Sequence, residues 1–144
     1  MRTENNAEAL PMNRAKIMVV DDDPDLRQAL SLRLRANNFD TISVCDGYSA
    51  IAMAQKEHPH LIVLDLGLPA GDGFAVLKNL QQYPALSVIP VIVLTARDPD
   101  INEKRTLDSG AVAFFQKPAD NEELMGVIRA SLQAGWGWGG PLPS

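Results

Sequence analysis

Positive charge, cysteine, histidine and long apolar runs are all scarce in this chain, and each shortage closes off a class of function. It carries 13 Lys and Arg against 18 Asp and Glu, a net charge of −5, which opposes non-specific attraction to nucleic acid or to an anionic membrane. Direct contact with DNA is therefore not expected. The one cysteine, Cys45, rules out an internal disulfide; it lies in an alternating apolar segment, where a small buried thiol in a reducing, cytoplasmic setting is expected. No stretch approaches the roughly 20 apolar residues of a membrane span, and MRTENNAEALPMNR at the start has no apolar centre of the signal-peptide kind. The two histidines, His58 and His60, flank Pro59 without a metal-ligand pattern and read as solvated loop residues with no assigned function. No internal repeat is present.

What remains is enough for one soluble domain: 144 residues, 46% of them hydrophobic, suffice to bury a sizeable core. The segments KIMVV (16–20), LIVLD (61–65), PVIVLT (90–95) and VAFFQ (112–116) read as strands, with a weaker one, DTISV, at 40–44. Near-continuous apolar runs mark parallel strands covered on both faces. Helical patterns fill each gap, so the expected fold is a doubly wound five-stranded parallel α/β sheet. Asp23 before Pro24, and Asp98 before Pro99, each place a capping side chain ahead of a proline at the first helical position. Asp120 and Glu123 have capping-box spacing, ahead of an apolar stripe of Leu124, Val127, Ile128 and Leu132. Asn37, Asn38 and Gly110 stand where helices should stop, since both residue types tolerate left-handed backbone. The domain is expected over 15–133. Polar residues 1–14 and the Gly-, Trp- and Pro-rich 134–144 are expected to be flexible tails. In the second tail Trp136 and Trp138 stand as an alternative aromatic anchor.

In an open α/β sheet, residues at the carboxyl ends of neighbouring strands converge on one crevice. Asp21 and Asp22 end the first strand, Asp65 the third and Thr95 the fourth, and Lys117 follows the fifth. Two carboxylates about 4 Å apart repel by roughly 4 kcal/mol at an effective dielectric near 20, so such crowding calls for a counter-charge. Carboxylate oxygens are hard ligands suited to Mg²⁺. An ammonium and a hydroxyl can bind phosphoryl oxygens. Together these are equipment for phosphoryl transfer onto a carboxylate.

The segments VVDDDPDLR, LIVLDLGLPAGDGF, VIVLTAR and FFQKP resemble the four signature segments of the bacterial two-component response-regulator receiver domain, of the chemotaxis-regulator kind. The intervals of 30 positions from Asp65 to Thr95 and 22 from Thr95 to Lys117 agree with that family's arrangement. The resemblance implies a flavodoxin-like strand order 2-1-3-4-5 and a phosphorylation-controlled switch that catalyses only its own phosphorylation and dephosphorylation. It implies that Asp65 accepts a phosphoryl group from a histidine kinase or histidine phosphotransfer protein. Asp21 and Asp22 would hold Mg²⁺ directly or through water, with Asp65 and the backbone carbonyl of Gly67 as further ligands. Lys117, joined to Pro118 by a cis peptide, would contact the phosphoryl group, Thr95 would move to bind it, and Phe114 would be the switch aromatic. The face made by the fourth helix (around 99–109), the fifth strand and the fifth helix would meet a downstream protein or, on phosphorylation, a second copy.

Each assignment has an alternative. Asp23 and Asp25 read as helix caps rather than ligands, and Phe114 and Phe115 point to opposite faces, so one is expected in the core. A phosphatase or phosphotransferase of the haloacid dehalogenase kind would use a nucleophilic aspartate with a second acid two positions on; Asp21 and Asp23 fit that spacing, but Pro24 follows. A phosphorylation-independent binding module is the other alternative. Two positions depart from the receiver pattern: Gly67, where a side chain is common, and Ala119, where a larger residue often follows lysine and proline. The fourth helix has only Ile101 and Leu107 as large apolar residues, so loose attachment is expected. Residues 134–144 are too few for an output domain, which leaves a single-domain regulator or the receiver of a longer protein.

Overall fold

The computed structural model describes residues 14–68 and 73–134. Apart from Arg14 and Ala134, the two expected tails lie outside the described residues, as do Trp136 and Trp138. The elements are β1 (Lys16–Val20), α1 (Pro24–Ala36), β2 (Asp40–Val44), α2 (Gly47–Glu57), β3 (Leu61–Leu64), α3 (Gly73–Gln81), α4 (Pro84–Ser87), β4 (Val91–Thr95), α5 (Pro99–Asp108), β5 (Ala113–Gln116) and α6 (Asn121–Gln133). The short α4 is additional to the expected helices, so α5 and α6 are the fourth and fifth helices of the sequence reading. The strands form one parallel sheet in the expected order β2-β1-β3-β4-β5.

The sheet is covered on both faces, which is why its central strands are apolar throughout. Ile17 and Val19 of β1 face α1 and α6, in a cluster with Leu34, Leu124 and Ile128. Met18 and Val20 point the other way, toward α2 and α3, with Leu64, Leu77 and Leu80. Among the described residues β2 has only one sheet neighbour, and Val44 alone of its residues is buried. The α6 stripe is Leu124, Met125, Ile128 and Leu132; Val127, expected in it, is only half-buried because Met125 takes the inner position.

Helix ends follow the caps read from the sequence. Asp23 accepts from the N–H groups of Asp25 and Leu26, Asp98 from Asp100, and Asp120 from Glu123. Asn38 and Gly110 hold positive φ of 71° and 110° just beyond α1 and α5. α5 is weakly anchored, as its composition suggested. Thr106 is its only buried residue, Ile101 is 74% exposed, and among the described residues the buried Thr106 hydroxyl has no hydrogen-bond partner.

Two expectations are corrected. Cys45 is exposed rather than buried. It shares the face of Thr41 and Ser43, whose hydroxyls meet Arg35 and Ser31 of α1, but lies one residue past the strand, beyond that cover. His60 is not a solvated loop residue: its Nδ1 accepts the Lys16 backbone N–H at 2.9 Å, and its own N–H donates to the Lys16 carbonyl at 2.8 Å. His58 caps α2 in the left-handed conformation, with φ 49°.

Candidate functional site

Register brings the strand ends level. Val20 lies opposite both Val44 and Leu64, so the residues that follow, Asp21 and Asp65, emerge side by side, and the Asp65 N–H still donates to the Val20 carbonyl at 3.0 Å. Asp21 is 6% and Asp65 7% exposed, while Asp22 is exposed to solvent. Oxygens of the three carboxylates lie within 4.8 Å of one another. Lys117 reaches this cluster from the end of β5, donating to Asp21 Oδ2 at 2.7 Å and to Asp65 Oδ2 at 3.3 Å. Burial works to lower the pKa of Lys117, but the hydrogen bond to Asp21 and the charges of Asp65 and Asp21 outweigh it and hold the pKa above the ordinary lysine value. The peptide between Lys117 and Pro118 is cis.

The remaining bonds fix the carboxylates. Asp21 Oδ1 accepts the Asp23 N–H at 2.9 Å, and Asp65 Oδ1 accepts the Gly67 N–H at 3.0 Å. Thr95, 1% exposed, ends β4, and its Oγ1 accepts the Arg97 N–H at 3.3 Å. Phe114 is half-buried against the α2 and α3 side of the core and Phe115 against the α1 and α6 side, so each face receives one ring. The sequence reading therefore located the acid cluster and its ammonium. It missed two supports. Arg27 Nη1 donates to the Asp21 carbonyl at 2.6 Å, holding the turn that carries Asp21 and Asp22. Gly73 starts α3 so close to the backbone beyond Asp65 that a Cβ there would stand 2.5 Å from Leu66 Cα and 2.6 Å from the Asp65 carbonyl oxygen. Its signal was present in GDGF, but close approach of two backbones is a tertiary fact that no local pattern encodes.

Three carboxylates gather round one ammonium, a surplus of acids that one Mg²⁺ would offset. The donor set fits that ion, being all oxygen with one carboxylate, Asp22, open to solvent. The arrangement does not fit a dehalogenase-type site, because the second acid it would need, Asp23, caps α1.

A buried aspartate beside a lysine and two further acids thus sits at the carboxyl ends of a doubly wound parallel sheet, the place where ligands bind in this class of α/β protein. Comparison with known proteins agrees. The family described as "Response regulator receiver domain" matches residues 17–129, and the chain belongs to that family. It is 38% identical over 123 residues to "Probable transcriptional regulator ycf27" of Porphyridium aerugineum, covering 85% of this chain and 50% of that one. It is likewise 38% identical over 120 residues to "DNA-binding response regulator MtrA" of Mycolicibacterium smegmatis, covering 83% and 51%. The chain thus spans about half the length of the curated relatives it matches. Among solved structures it superposes on a putative response regulator from Chloroflexus aurantiacus with a TM-score of 0.80 at 26% identity, covering 83% and 98% of the two chains. It also superposes on the signal receiver domain of a signal transduction histidine kinase from Syntrophus aciditrophicus, with a TM-score of 0.77 at 30% identity and coverage of 83% and 91%. As a receiver domain of the two-component kind, the chain is a phosphoacceptor switch.

Proposed function

We propose that Asp65 is the acceptor, taking a phosphoryl group from a histidine kinase or a histidine phosphotransfer protein. The observation that carries this is the placement of the Asp65 carboxylate, held by Gly67 N–H and Lys117 Nζ while within reach of the other two acids. An Asp65 oxygen attacks phosphorus in line, the bond from phosphorus to the donor imidazole breaks, and the imidazole leaves with the bonding pair. Lys117 pairs with a phosphoryl oxygen and Thr95 turns to donate to another. Asp22, Asp65, the Gly67 carbonyl and, directly or through water, Asp21 would hold Mg²⁺, which when bound offsets charge on the transferred group. Phe114 is proposed to follow Thr95. The domain catalyses its own phosphorylation and dephosphorylation and no other turnover.

A groove of about 420 Å³ beside Asp21 and Lys117, lined by Leu26, Leu30, Leu94 and Leu124, offers the phosphodonor an apolar seat next to the acceptor. Leu26 is 46% exposed there. Output is proposed to pass through the α5, β5 and α6 face. With its net charge of −5, the domain is proposed to act in the cytoplasm through protein contacts rather than by touching DNA; among the described residues no helix is long and apolar enough to cross a membrane. Acetyl phosphate with Mg²⁺ should add one phosphoryl group, read by intact mass, and Asp65→Asn should add none. Equal labelling of that variant would reject Asp65 as the acceptor.

A further inference from the structure

We propose that the groove between α3 and α5 binds an acidic segment of another protein through Lys78 and Arg105. It is lined by α3, α5 and the cap of α5 and by no residue of β5 or α6, so it is a surface separate from the output face. The groove, about 470 Å³, has Phe74, Ala75, Lys78 and Gln81 on one wall and Arg105 and Ser109 on the other. Phe74 and Lys78 are four residues apart and share one face of α3, as Arg105 and Ser109 do at the end of α5. No carboxylate lines it.

A chain of net charge −5 thus holds two exposed cations in one groove. Among the described residues neither cation has a carboxylate partner. The acids of α5 near by are engaged or turned away: Asp108 is paired with Lys104 at 2.8 Å, and Glu103 lines the cavity on the β5 side. The C-terminal ends of α3 and α5 contribute roughly half a negative charge each, which leaves an excess of positive charge. Arg105 is also preorganised. Its guanidinium lies 3.7 Å over the centroid of the Phe74 ring, itself 7% exposed. Stacking fixes the plane of the fork and leaves its in-plane N–H groups free to meet a carboxylate bidentately, while Lys78 takes a second. Two cations on separate helices, in a groove far larger than a simple inorganic anion, select carboxylates carried on a peptide. Such an occupant would tie α5, which buries only Thr106, to α3, whose first residue abuts the Asp65 backbone.

A fluorescent Glu/Leu peptide should bind the full chain, more weakly as salt rises. On the unmodified protein its amide shifts should concentrate in residues 74–81 and 105–109, and amide exchange across 101–108 should slow; a Lys/Leu peptide of the same pattern should do neither. Lys78→Gln and Arg105→Gln should each weaken binding about ten-fold, and Arg105→Lys should recover only part of it, since the charge returns without the fork. Lys56→Gln, the same change in net charge at an exposed position of α2, should leave binding unchanged. Equal weakening by Lys56→Gln or shifts elsewhere would overturn the proposal. So would displacement of the peptide by inorganic phosphate at an ionic strength where chloride leaves it bound, or a dimer in sedimentation that Arg105→Gln abolishes. None of these measurements requires phosphorylation, so a failure here is distinct from a failure of Asp65 to be labelled.

Discussion

Lys117 is the residue on which the resting pocket turns. Its raised pKa keeps the ammonium charged across the working pH range, so in the proposed reaction an incoming phosphoryl group would meet a cation already in place rather than one to be recruited. Opposite it, Gly67 offers a backbone N–H to Asp65 and no side chain. A Cβ at that position would sit 3.6 and 3.8 Å from the two Asp65 oxygens, ordinary van der Waals distance, so a larger residue fits there and would overlook the oxygen proposed to take the phosphoryl group. Without one, nothing at position 67 aligns a water for attack, and alignment is scarcer than water itself. Gly67→Asn should therefore shorten the lifetime of the aspartyl phosphate. Arg97, half-buried two residues after Thr95, is long enough to shield phosphoryl oxygens, and Arg97→Ala should act in the same direction. Loss of the phosphorylated mass after donor removal measures both, and a longer lifetime in the two variants would refute the positioning argument. At this scale the acids and Lys117 were readable because strand ends in this fold converge. Arg27 was not, since its target is a backbone carbonyl and carbonyls leave no trace in sequence.

Elements join to one another through single polar contacts as well as through the core, and His60 is the clearest case. Its Nδ1 accepts the first N–H of β1, which requires an unprotonated ring nitrogen. Burial, and then the charge of Lys16, push its pKa below the ordinary histidine value of about 6.5; Lys16 itself is paired with Glu57 at 3.3 Å. The unfolded chain therefore binds this proton at a higher pH than the folded one, and stability falls as pH drops below about 6.5 toward the folded pKa. His60→Gln should be less stable than the unmodified protein near neutrality and show a flatter loss between pH 7 and 5, measured as urea midpoints; parallel pH profiles would remove His60 from that role. Its signal was hidden because a histidine beside a proline reads as loop, and the acceptor role depends on β1 running alongside. The central strands were legible because burial on both faces writes a continuous apolar run, and the helix starts because Asp before Pro has few other uses. α4 escaped notice because a four-residue turn has no periodicity to display, and Cys45 misled because alternation does not say where cover ends.

Across the whole molecule, the acid cluster costs stability that the fold accepts in exchange for a binding site. Three carboxylates share one pocket with a single ammonium, so the folded state confines negative charge that the unfolded chain spreads through water. A cation that binds only the folded arrangement must then stabilise the entire domain by mass action. The gain is about 2.7 kcal/mol at a hundredfold excess over Kd, or roughly 10 °C in Tm for a domain of this size. Asp22 separates this from general screening. It is exposed and supplies the open carboxylate, whereas Asp21 has one oxygen on the Asp23 N–H and the other on Lys117. Asp22→Ala should thus match or exceed the unmodified protein in Tm without Mg²⁺, because one repulsive charge is gone, yet gain little when Mg²⁺ is added. The unmodified protein should rise with Mg²⁺ and not with sodium at matched ionic strength. Thermal melts of both proteins in the two salts measure the difference, and an equal Mg²⁺ shift in Asp22→Ala would place the ion somewhere other than this pocket.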